Sequence, residues 1–485
     1  MRFARLVQGL LLVSLAALLV APLHASADEE GHGKKGPARG EGGEPPWVRI
    51  RRETQDKAGG LPQAILDQQR LEKVAVPSVE EAAGLALAAA RKRARDVIDT
   101  AWHTGRVLRV PKEHASIQAA IDAARARDVV LVSAGTYYEL LVMKDGVKLV
   151  SDTALDGDEL VVVEGAVLKL PRRALRTIID GSKSKPSSHG LIDFRPGTSR
   201  HTIVDGFTLQ KLPHQNHHKP GHAHGVNVRG ASPVIMNCLL QDNGSTGIGN
   251  HVVYRDQGKP IAGRDFRHAN VQHPAEAVIF GNIVRRNVGR GIGCNHLSAP
   301  LILGNEVFDN DDAMLGEGTG PGIGMKHGAA PHVLGNLVHD NPGGGIVCKQ
   351  GAPQGAHAID RPTQPVFEHN VAWKNGKQRP CIGAAASGSR RNPVRIVGNW
   401  VFDSGAVGIG VRKGGWYVIE GNLVARSARP GISVIGSTVL QLDANRLAHA
   451  KNAGFAILEC ARVLEMKGNV ADEVDGPRFL LRDAY

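Results

Sequence analysis

Aromatic residues make up only 4% of this chain, and its cysteines are five in number, scattered at positions 238, 294, 348, 381 and 460. So few large rings argue against a core built on aromatic packing. An odd set of cysteines without close pairs argues against a disulfide framework or a tight thiolate zinc site. Acidic residues are also the minority: 47 Asp and Glu against 59 Lys and Arg leave a formal net charge of +12, a balance that suits anionic partners. Long apolar runs are missing beyond the first residues. There, two arginines within Met1 to Arg5, an apolar run from Leu6 to Pro22 and the triplet Ala25, Ser26, Ala27 have the form of a secretory signal peptide over 1–27. The mature chain is therefore expected to be secreted or periplasmic, with no membrane insertion after signal cleavage and no nucleic acid among its partners.

What is abundant is glycine, 59 residues of it, together with β-branched residues in short runs. Residues 28–77 begin with a mixture of Gly, Pro, Glu, Lys and Arg that has almost no apolar clustering, so a disordered linker is expected there. Ser78 and Glu81 after Pro77 have capping-box spacing, and the Ala-rich run beyond them predicts a helix over 78–105. Downstream an asparagine, often after glycine, recurs at 282, 305, 336, 370, 399, 422, 445 and 469, with shortest steps of 23 residues. A glycine followed by isoleucine interlocks with it at 291, 322, 345, 408 and 431. A fixed period in the low twenties means a stacked solenoid, expected over 106–475 with a tail at 476–485. A leucine-rich horseshoe would share the asparagine, but these repeats are β-branched and contain no helical segment. The asparagines read as a turn ladder bonding coil to coil at the strand spacing.

Alternate side chains of a strand face opposite sides. Counting from each glycine, Ile292 and Cys294, Ile323 and Met325, Ile346 and Cys348, and Ile409 and Val411 should point inward, making the two cysteines and Met325 core rather than metal ligands. The outward positions are then Asn227, Gly249, Gly293, Gly324, Val347 and Gly410, a glycine-rich floor, beside Arg229, His251, Asn295, Lys326, Lys349 and Arg412, a largely basic rail. Glycine within a strand often marks close approach of a ligand, so Arg229, His251, Asn295, Gly293 and Gly324 are candidate substrate-binding residues. The competing reading is that the cations serve solubility and the glycines relieve crowding. Extra residues near 252–273, 312–320, 351–364 and 376–380 flank these strands; the first is almost one period long and is either a loop or a degenerate coil.

Ala115 to Ala124, the strand Val129 to Val132 and Gly135-Thr136-Tyr137-Tyr138-Glu139, followed by Thr177 to Gly181 and Ile203 to Thr208, resemble the opening of a pectate-lyase-like protein. The resemblance implies an all-β fold, a right-handed parallel β-helix solenoid with an N-terminal helical cap, here behind a disordered and helical N-terminal extension. It also implies loops that wall a cleft for acidic polysaccharide.

Lyases of that fold remove the proton next to a uronate carboxylate with a Lys or Arg base, and calcium or cationic side chains neutralise the charge. By that resemblance Lys326, Lys349, Arg412 and His327 are the catalytic candidates. Asp309, Asp311 and Asp312 are candidate Ca2+ ligands, or an acid and base pair for hydrolysis. Of the fold's polygalacturonase motifs only Asp311-Asp312 and a loose Lys326-His327-Gly328 are present, and the Asp-Pro-His-Glu signature of alginate epimerases is absent. Fold is thus better specified than reaction. A noncatalytic glycan or envelope binder stays open. So does metal handling, because His214, His217, His218, His222 and His224 form a cluster, followed by His251, His268 and His273, that is either an exposed polar loop or a zinc or copper site. A group of periplasmic β-helix proteins that assists copper-site assembly has similar Gly-Asn-x-Val coils.

Overall fold

The computed structural model describes residues 73–98, 105–152, 159–186, 189–214, 224–256, 259–260, 270–311, 320–350, 361–459 and 461–482. The expected signal peptide, and the expected linker up to residue 72, lie outside them.

Short strands of three to six residues repeat in the order first sheet, second sheet, third sheet, as in Val278–Phe280, Ile283–Arg285 and Ile292–Asn295. Each pairs in parallel with its counterpart one coil on, at Leu301–Leu303, Glu306–Phe308 and Ile323–Lys326. The wind is right-handed, the hand that parallel crossovers take, and the fold is a right-handed parallel β-helix. The second sheet holds 12 strands, while the first and third are joined into 24 by one strand, Ile409–Glu420, that turns the corner between them.

Two asparagine ladders stiffen the turns. In the expected one, running from Asn282 to Asn469, each side-chain oxygen accepts from the backbone and side-chain amide of the preceding coil's asparagine, at 2.9–3.1 Å. A second ladder, Asn243, Asn287, Asn310, Asn341 and Asn375, closes the exit of the second sheet in the same way. From Asn287 to Asn375 its members follow those of the first by five residues, a spacing present in the sequence but not read from it.

The inward row is as expected: Cys294, Met325 and Cys348 are register partners, buried in one continuous apolar core. Burial pushes the thiols of Cys238, Cys294, Cys348 and Cys381 up to about 12, so they stay protonated and inert. Asn250 is a polar member of the same row, its amide donating to the Gly293 carbonyl.

Helix α1, Val79–Val97, has both capping-box bonds, Glu81 N–H to Ser78 Oγ and Ser78 N–H to Glu81 Oε2. It stops well short of residue 105, with Ile98 already extended, since a Val-Ile pair after Asp96 is a poor helix continuation. Its Ala82, Ala83 and Ala86 pack on Leu337, Val371 and Phe402 of the second sheet, and its Ala90 and Ala94 on the first. A Cβ on Gly335 would lie 2.3 Å from the Ala86 carbonyl oxygen, so glycine there lets helix and coil touch. Helix α2, Ile117–Ala123, buries Ile117, Ala120 and Ile121 over the first coils and closes that end of the core.

One excursion was not foreseen. Leu160–Val162 and Lys169–Pro171 form an antiparallel hairpin that folds onto the second sheet, where Val167 and Leu168 donate their N–H groups to the buried carboxylate of Glu306. The segment 252–273 is neither a plain loop nor a coil: Val253–Asp256, Lys259–Pro260 and Asn270–His273 make a small antiparallel sheet.

Candidate functional site: the outer row of the third sheet

The register places the sequence-derived floor and rail as counted. Asn227, Gly249, Gly293, Gly324, Val347, Gly383, Gly410 and Ser433 are successive partners. Beside them Arg229 pairs with His251 and His251 with Asn295, while Lys326 pairs with Lys349, and Ala385 separates Lys349 from Arg412.

The floor is not bare, however. A Cβ on Gly249 would collide with the ring of His224, 1.8 Å from Cδ2, and one on Gly324 would lie 2.7 Å from Pro321 Cγ and 2.8 Å from Arg290 Cδ. Gly383 makes the same room for Pro380. Gly249, Gly324 and Gly383 therefore accommodate the protein's own side chains, which come from the residues leading into these strands and fold across them, whereas a Cβ on Gly293 would make only ordinary contacts with Thr246 and Arg290. Asn295 is buried, and Arg290 Nη1 donates to its Oδ1 at 3.3 Å; it positions Arg290 instead of facing solvent.

Along the edge of this strip runs a file of imidazoles. His224 Nε2 lies 3.1 Å from His251 Nε2, and His251 Nδ1 lies 3.4 Å from His296 Nδ1. His296 stacks on His327 with ring centres 5.0 Å apart and planes 8° apart. His327 is buried and sits one residue past the rail. Of the histidine-rich stretch, His217, His218 and His222 lie outside the described residues, as does His268, while His214 is an exposed residue of the same segment.

Further along, where the floor turns to Val347, Gly383, Gly410 and Ser433, the surface opens into a pocket of about 270 Å3. Lys349, Arg379, Arg412, Lys413 and Arg429 line it, and among the described residues no carboxylate does. All five cations are exposed, and the wall that carries Gln378, Arg379 and Pro380 comes from the expected insertion at 376–380.

The acidic candidates fall elsewhere. Asp309 is at the exit of the second sheet, where burial and the like charge of Asp340 raise its pKa, with His339, Arg286 and Arg285 opposing. Asp311 bridges through its backbone to Val288, and Asp312 lies outside the described residues. Among the described residues no three His, Cys, Asp or Glu side chains converge on a common point.

Residues 112–378 match the model of a family described as "Protein of unknown function (DUF1565)". The chain belongs to that family. The DUF1565 match covers the coils that carry the imidazole file but ends inside the wall of the cationic pocket. No curated protein matches the sequence. Among solved structures, the Azotobacter vinelandii mannuronan C-5 epimerase AlgE4 A-module is similar at 14% identity, covering 78% of this chain and 96% of that one, with a TM-score of 0.44. The periplasmic alginate epimerase AlgG is 12% identical over 76% of this chain and 83% of its own, TM-score 0.45. A complex of XylC with xylose is 11% identical over 73% and 70%, TM-score 0.41.

Neither Arg290 nor His296 was singled out from the sequence, nor were Arg379, Lys413 and Arg429. For Arg290 a signal was available, namely its place just before Gly291-Ile292; the other four stand on corners and walls, which have no period.

Proposed function

We propose that this chain is exported and acts on an acidic polysaccharide laid along the outer row of the third sheet. The observation that carries the reading is the pocket lined by five cationic side chains and, among the described residues, by no carboxylate. Coils rise by about 4.8 Å, so cations on neighbouring and alternate coils meet carboxylates strung along an extended sugar chain. Lyase-type cleavage is the reaction these groups favour, because neutralising the uronate carboxylate acidifies the neighbouring C–H. Lys326, Lys349 and Arg412 serve there as counter-charges, and calcium is an auxiliary that chelation would reveal.

Metal handling is less well supported. Among the described residues no three His, Cys, Asp or Glu side chains are placed to hold one ion together.

Incubating the mature chain with polymannuronate, polyguluronate and polygalacturonate, with and without calcium, tests the proposal through the ultraviolet absorbance of unsaturated uronates. A rise that Lys349→Ala and Arg412→Ala diminish is expected. Reducing ends without absorbance would replace elimination by hydrolysis. If neither product forms, salt-sensitive retention on immobilised polyuronate would leave a noncatalytic binder, and absence of retention would end the acidic-glycan reading.

A further inference from the structure

The three imidazoles His224, His251 and His296 belong to successive coils of the third sheet, and their spacing specifies more than proximity. The ring centres of His224 and His251 are 5.4 Å apart with planes 12° apart, while their Nε2 atoms are 3.1 Å apart. The centres exceed the nitrogens by about what two ring radii add when both nitrogens lie on the line between the rings. The second pair repeats this, with centres 5.6 Å and Nδ1 atoms 3.4 Å apart. Each pair is thus head to head, and a nitrogen pair in that geometry holds one proton, donated by one ring and accepted by the other. His251 is engaged at both of its nitrogens, so a proton arriving at one forces the other to let go.

We infer that His224, His251 and His296 form one proton-relaying acid–base unit at the head of the cationic strip. The unit has a fixed inner end and an outer end. Inside, His224 is buried, its Nδ1 lies 3.4 Å from Ser245 Oγ, and its backbone N–H donates to Asn227 Oδ1. Asn227 in turn donates to Asp193. Gly249 is glycine so that the His224 ring can lie across the strand. Outside, His296 is half-buried and stacks on His327. Among the described residues, Arg229, Arg290, Lys326 and Asp193 are charged groups on the surrounding strands and turns.

On an acidic glycan, and resting there on the function proposed above, the relay supplies the base that the exposed lysines and arginines do not. An ordinary imidazole is largely unprotonated at neutral pH, whereas an ordinary lysine is not. The C–H bond beside the uronate carboxylate breaks and its proton passes to the outer nitrogen of His296. The electron pair enters the carboxylate-stabilised enolate, and its collapse expels the glycosidic oxygen, which takes a proton from solvent and leaves an unsaturated sugar, while His296 releases its proton to solvent and the relay is restored.

Two measurements on the full mature chain test the inference. Ring-nitrogen NMR of histidine-labelled protein, assigned with His224→Gln, His251→Gln and His296→Gln, is expected to show the three rings titrating in shared steps. His251→Gln should convert the other two to independent single-proton curves. Independent curves in the unaltered protein, with the remaining two unmoved by His251→Gln, would overturn the relay. In the turnover assay His251→Gln and His296→Gln should each lower the rate by about 100-fold or more, a loss far larger than any change in retention on polyuronate, and full activity in both would overturn the role in catalysis. A wild-type chain that turns over no polyuronate refutes the proposed reaction and the relay's part in it, while the NMR result still decides whether the relay exists.

Discussion

The outer faces of the second and third sheets are made of strands from the same coils, yet they have opposite fates. On the second sheet Phe308, His339 and Trp373 stack with ring centres 4.6 and 4.0 Å apart. The hairpin at 160–171 and helix α1 then cover them and their neighbours. The ionisable pair under that cover, Glu306 and His339, is buried and hydrogen-bonded to its surroundings. On the third sheet, among the described residues, His224, Arg290, Pro321 and Pro380 cross the outer row, which ends in five exposed cations. Identical coil geometry therefore leaves one face covered by the chain's own excursions and the other, among the described residues, exposed at five cations. What decides is which excursions fold back and whether the charges along the row are paired.

Substitutions on the two faces should separate stability from binding. Glu306→Ala leaves His339 and the N–H groups of Val167 and Leu168 without their acceptor. A loss of about 3–5 kcal/mol in denaturant unfolding is expected. Asn336→Ala opens the ladder between Asn305 and Asn370 and should cost about 1–3 kcal/mol for each buried group left unpaired. Gly324→Ala forces Pro321 or Arg290 aside and is expected to cost about 1–3 kcal/mol in the same measurement. Lys349→Ala and Arg412→Ala, on exposed residues of the open face, should change unfolding by no more than about 0.5 kcal/mol while lowering the salt needed to elute the protein from polyuronate. A large stability loss in either would mean that the third face is also interior.

The smallest effect is a pH slope. Burial works against the charge on His339, but its hydrogen bonds to Asp340 and Glu306 prevail and its pKa is raised. A group with a raised folded pKa stabilises fully below the ordinary imidazole value of about 6.5 and loses that contribution as pH climbs through the raised value. Unfolding free energy should therefore decline across and above neutrality, and His339→Gln should flatten that decline. Equal slopes in both proteins would remove His339 from the account.

The periodic part of this architecture was legible in the sequence because a side chain in a coil repeats its environment every turn. Asn282 and its successors, the inward Cys294, Met325 and Cys348, and the register of Lys326 on Lys349 all follow from counting. The nonperiodic part was not. Nothing in the Leu160 to Pro171 stretch says that it will fold over Glu306, and a glycine looks the same whether a ligand or Arg290 occupies the space above it. Counting found His251 and His327, but their junction with His224 and His296 depends on corner backbone, where His296 and His327 take φ of 50° and 58°. Asp309 lies away from Lys326 for the same reason, since it directly follows the second-sheet strand Glu306–Phe308 and takes a φ of 52°.

The central claim, that the third face is a polyanion-binding surface, is tested most directly by elution of the mature chain from immobilised polyuronate over a salt gradient, beside Lys349→Ala, Arg412→Ala and the double variant. The account predicts retention that weakens with salt and falls stepwise through the single and double variants, with folding intact. Retention identical in all four proteins, or none in any, would contradict it.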